Sequence, residues 1–113
     1  MSQHPRLDTF GLADELALAV YSSTSSFPPC GTSDLVTRMR SSAVSVATEI
    51  VGRAGRSADV EERQVIDRAF SAIRELAYLI GLSHRLGYLS VDETRKLRDL
   101  QGRTAAALAS LMR

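Results

Sequence analysis

The chain has 113 residues, 44% of them hydrophobic and 24% charged, with 14 basic residues against 13 acidic for a net charge of +1. These are the proportions of an ordinary globular domain, long enough to bury about two-thirds of the surface its unfolded chain exposes, and too balanced to signal nucleic acid by charge alone. No apolar run approaches the roughly 18 to 20 residues of a membrane span, and MSQHPRLD lacks the apolar core of a secretion signal, so a cytoplasmic protein with no membrane partner is expected.

The first helix is predicted over about 9–25, capped by Asp8 or Thr9, with Phe10, Ala13, Leu16, Ala17, Val20 and Tyr21 on its buried face. The stretch SSTSSFPPCG ends it, because consecutive prolines disfavour helix at the residues before them. Ser33 can cap a second helix over 33–52, whose core face is Leu35, Met39, Ala43, Val46 and Ile50. A third runs over 59–86, opened by an Asp59–Glu62 capping box and closed by a left-handed cap at Gly87. Its core face is Ile66, Ala69, Phe70, Ile73, Leu76, Ala77 and Ile80, while Ala72, Leu79 and Leu82 project on another side around Glu75. Ser90 and Glu93 form a second capping box for a fourth helix over 91–112, carrying Leu97, Leu100, Thr104, Leu108 and Leu111 at three-four spacing. No alternating run bounded by turns survives as a strand. The fold class is all-α, an antiparallel up-down-up-down four-helix bundle occupying residues 1–113 as one domain.

Candidate chemistry is sparse. Arg38, Ser42, Ser45, Glu49 and Arg56 share a polar stripe on the second helix, which can bind a ligand, pair with a neighbouring helix or meet water. Cys30 is the only cysteine, and with only His4 and His84 available neither a thiol nucleophile nor a metal site is expected, nor any cofactor. Glu49 and Glu75 are the best pair of acids for catalysis, but nothing positions a substrate, so no enzyme is expected. Thirteen of the fourteen bases are arginine and only Lys96 is lysine. Arginine suits phosphate recognition and interface ion pairs, and a genome rich in G and C gives the same bias.

Phe27 and Pro28, Arg40, AVSV at 43–46, Ile50, Gly55 and Arg56, Glu75 and Leu76, and LGYL at 86–89 together carry a resemblance. The chain resembles the bacterial four-helix-bundle family related to proteins encoded in intervening sequences of large-subunit ribosomal RNA genes. That family favours an asparagine where Glu49 stands and a glutamate where Gly52 stands, so the carboxylate has moved one turn along the same stripe, and if the stripe needs one carboxylate opposite a guanidinium the move can preserve the pairing. Ser71 and Ala72 likewise replace a favoured glycine and serine. The resemblance implies a homopentamer with no enzymatic activity, and its more distant relatives act as nucleic-acid-binding accessory factors.

Two readings follow. In the first, a homo-oligomeric ring, with Ala72, Glu75, Leu79 and Leu82 at its contacts, presents one end of each bundle to nucleic acid or a nucleoprotein. Arg38, Arg40, Arg85, Arg95, Lys96 and Arg98 cluster at that end against Asp34, Asp92, Glu93 and Asp99, six bases to four acids. Glu75 is expected to meet an arginine across the contact. In the second, the chain is a structural or protein-interaction module with no nucleic-acid role.

Overall fold

The structure, a computed structural model, describes residues 5–52 and 59–111. Four helices follow one another: α1 (Pro5–Thr24), α2 (Ser33–Gly52), α3 (Asp59–Arg85) and α4 (Val91–Ser110). Among the described residues there is no strand. Each helix packs on two others, in the cyclic order α1, α2, α3, α4, and among the described residues the backbones of the diagonal pairs do not come close to each other.

The core falls into two layers. One gathers Leu16 and Val20 of α1, Met39 and Ala43 of α2, Leu76, Leu79 and Ile80 of α3, and Leu97 and Leu100 of α4. The other joins Ala13 to Val46, Ile50, Ala69, Ile73 and Leu108. Low numbers on one helix thus meet high numbers on the next. Two ion pairs repeat the reversal between α2 and α3: Arg38 reaches Glu75 at 2.8 Å and Glu49 reaches Arg68 at 3.0 Å.

The connection between α3 and α4 forms as its residues dictate. Gly87, at φ +82°, takes the left-handed conformation that lets Tyr88 N–H reach the Ser83 carbonyl (2.9 Å) and Gly87 N–H the His84 carbonyl (3.0 Å). Two residues later Ser90 Oγ accepts from Glu93 N–H and the Glu93 carboxylate accepts from Ser90 N–H, both at 3.0 Å, completing the capping box. Tyr88, half-buried, sets its ring 5.4 Å from that of buried Phe27, so this turn and the loop between α1 and α2 close the same end of the core.

Several expectations change. The first helix begins at Pro5 rather than near Thr9, since proline in a first turn leaves no helical N–H unmatched and Asp8 there complements the positive end of the dipole; Thr9 is buried inside the helix. The second helix is entered from Thr32, whose carbonyl accepts from Val36 N–H and whose hydroxyl donates back to the Pro28 carbonyl. Tyr21 lies outside the core, under the Arg40 guanidinium at 4.4 Å. The Asp59 side chain, Arg53, Arg56 and Met112 lie outside what the structure describes.

Leu79 is the largest correction. It is only 6% exposed, within the chain's own core, and so is not part of a face left over for a second chain. Because α3 packs on both α2 and α4, its apolar arc must be wider than a single seam. Val65, Ala72 and Leu79 recur every seven residues as one flank of that arc, and Val65 and Ala72 border clefts shared with α2.

Candidate nucleic-acid interface

The turn at Gly87 and the capping box at Ser90 bring the last turn of α3 against the first turns of α4. His84 Nδ1 there lies 3.2 Å from Thr94 Oγ1 and 3.4 Å from the Leu89 carbonyl oxygen. Gly81, one turn earlier, lets the Arg98 guanidinium come close to α3: a Cβ on it would stand 3.0 Å from Arg98 Nη2, and the side chain would have to give by a few tenths of an ångström. His84, Val91, Thr94, Arg95, Arg98 and Asp99 line the resulting groove, of about 490 Å³. Asp99, the acid in its lining, pairs with Arg103 at 3.4 Å, and Arg95 pairs with Asp92 just outside the lining at 3.5 Å, both pairs exposed along α4. Arg98 has no ion-pair partner among the described residues.

The six bases expected at one end do not form one patch. Arg38 is spent on Glu75, its Nε and Nη2 both donating to Oε2 at 3.1 and 2.8 Å. Glu75 therefore finds its arginine within the chain rather than across a contact, and counting it sets five acids against the six bases. Arg40 closes the end of α1, donating to Thr24 Oγ1 (2.9 Å) and to the Tyr21 carbonyl (3.3 Å), which also accepts from Ser25 N–H (3.2 Å). Arg85 stands 5.9 Å from the Tyr78 ring on the outside of α3. Lys96 borders a different cleft, with Glu15, Leu18 and Ser22 of α1. Only Arg95 and Arg98 share a groove. The sequence reading missed His84 as their companion, although the predicted cap at Gly87 and box at Ser90 already faced it toward the start of α4.

The polar stripe of α2 turns toward α3. Thr37, Arg38, Ser41, Ser42 and Ser45 line a cleft of about 260 Å³ with Ala72 and Glu75. Ser42 is buried there, and its hydroxyl has no hydrogen-bond partner among the described residues. Further along, Arg68 Nε donates to both oxygens of Glu49, at 3.0 and 3.1 Å; that hydrogen bond, and the Glu49 charge after it, raise the guanidinium above its ordinary pKa. The displaced carboxylate of the stripe thus does meet a guanidinium. Both acids weighed for catalysis are held by arginines, and among the described residues no group of three or more histidine, cysteine or acidic side chains could hold a metal ion.

Of the four expected contact residues, Ala72 and Leu82 are half-buried, Glu75 is exposed beside Arg38, and Leu79 is in the core. The outer side of α3 instead presents Tyr78, 61% exposed, one turn from both Glu75 and Leu82. No described helix is long and apolar enough to cross a membrane. No curated protein matches the chain. The family model of the 23S rRNA-intervening sequence proteins matches residues 6–110, nearly the whole length, and the four helices are consistent with a four-helix family. The chain therefore belongs to the 23S rRNA-intervening sequence protein family.

Proposed function

We propose that this chain is a non-enzymatic accessory protein that assembles with copies of itself and holds nucleic acid, or a nucleoprotein, weakly in the groove between α3 and α4. The observation that carries the reading is the pairing of Arg95 and Arg98 beside His84, while Arg38 and Arg40 are committed to the fold. A family described by intervening sequences of 23S rRNA supports the same class of partner. A single chain offers two or three cations in the groove, too few to hold a phosphate backbone at physiological salt, so assembly is needed to multiply them. The pentamer implied by the sequence resemblance would do so, in the cytoplasm, through the outer side of α3 at Ala72, Glu75, Tyr78 and Leu82.

The reading is tested by titrating duplex DNA and RNA against the oligomer at several salt concentrations. With about five phosphates neutralised on duplex DNA, the log-log slope of affinity against salt is near −4 to −5. Arg95→Ala with Arg98→Ala flattens it and leaves oligomer size unchanged, because both side chains are exposed and off the core line of Leu97, Leu100 and Thr104. The alternative, an interaction module with no nucleic-acid role, draws on the apolar side chains left exposed at Leu18, Tyr78, Leu86 and Val91. A verified oligomer that binds none of these nucleic acids at low salt would decide for it.

A further inference from the structure

We infer that the groove between α3 and α4 selects RNA over DNA, with His84 Nε2 accepting a hydrogen bond from a ribose 2′-hydroxyl while Arg95 and Arg98 take the flanking phosphates. The inference rests on the nucleic-acid reading above and adds the sugar to it. It starts from the hydrogen-bond directions around the ring. Thr94 donates its hydroxyl hydrogen to the Ser90 carbonyl at 2.8 Å, which leaves its oxygen only to accept. The Leu89 carbonyl can only accept. Both neighbours of His84 Nδ1 are thus acceptors, at 3.2 and 3.4 Å, and the neutral ring carries its hydrogen on Nδ1. Nε2 is left with a lone pair and, among the described residues, no partner.

The ring is held in that state by the connection itself. Leu89, Ser90 and Thr94 belong to the turn and capping box that fix the start of α4, so the acceptor is pre-positioned rather than ordered on binding. The other charged groups lining the groove are Arg95, Arg98 and Asp99 of α4; α3 adds none beyond His84 itself. Arg95 and Arg98 lie one helical turn apart and donate only, so they grip phosphates without reading the sugar. Thr94 Oγ1 also lines the groove but is buried and already taken up by His84 Nδ1, and the carboxylate of Asp99 carries a negative charge and is engaged by Arg103, so the exposed imidazole is the lining acceptor best placed to meet a hydroxyl present in RNA and missing from DNA.

The experiment compares short oligocytidine strands in ribo, deoxyribo and 2′-O-methyl form, binding to the full chain at low salt. The methylated strand keeps the sugar oxygen and lacks only its hydrogen. At about pH 8 the ribo strand is expected to bind about 3- to 10-fold more tightly than either other strand, the worth of one hydrogen bond. His84→Ala removes that ratio. A ribo preference that survives in His84→Ala, or binding of all three strands alike at about pH 8, overturns the inference and leaves the nucleic-acid reading standing. No binding of any strand overturns both.

Discussion

Among the buried hydroxyls, three turn back to the carbonyl four residues earlier: Thr24 donates to Val20, Thr94 to Ser90 and Thr104 to Leu100, all within 2.8 Å. Ser83 crosses the core to Met39 Sδ at 3.3 Å. Ser42, 6% exposed, has no such partner, so it bears the cost of desolvation without a compensating bond. Ser42→Ala is therefore expected to raise unfolding stability by about 1 kcal/mol and Thr104→Ala to lower it by about the same amount, read from denaturant midpoints. Equal losses in the two variants would show that Ser42 is satisfied in solution. The polar stripe to which Ser42 belongs was legible in the sequence, but its burial was not. Depth on that side is set by how closely α3 approaches, and small Ala72 opposite the serines permits a narrow cleft that helical spacing does not encode.

At the scale of the element, the α3 to α4 connection is where sequence and structure agree best. Gly87 must be left-handed for the two closing hydrogen bonds to form, so Gly87→Ala is expected to cost about 1 to 2 kcal/mol, and Ser90→Ala about 1 kcal/mol through the lost cap. Thermal melts of both variants, each still helical by circular dichroism, check this; a Gly87→Ala protein as stable as wild type would mean the turn is made another way. Such signals are legible because they depend on residues within three or four positions of one another. The start of α1 was not, since Asp8 and Thr9 look like caps whether or not Pro5 begins a turn earlier. The side of α3 that Leu79 faces was not legible either. Neighbouring positions on a helix differ by about 100°, and only the presence of a second packed neighbour decides whether position 79 or 78 is outermost.

At the scale of the whole molecule, that one-residue difference separates folding from assembly. Leu79→Glu puts a charge into the core and is expected to abolish the folded state, whereas Tyr78→Glu alters only an exposed side chain. With assembly through the outer side of α3, Tyr78→Glu shifts light scattering toward smaller species with helical content unchanged; a variant of wild-type size would move the contact elsewhere. The loop between α1 and α2 offers another way to count chains. Cys30, the only cysteine, is exposed there between Pro29 and Gly31 and is not among the residues that line the groove. Each chain therefore carries a single addressable thiol, and a maleimide dye on it turns the stoichiometry of a surface-tethered particle into the number of discrete steps in which its fluorescence goes dark.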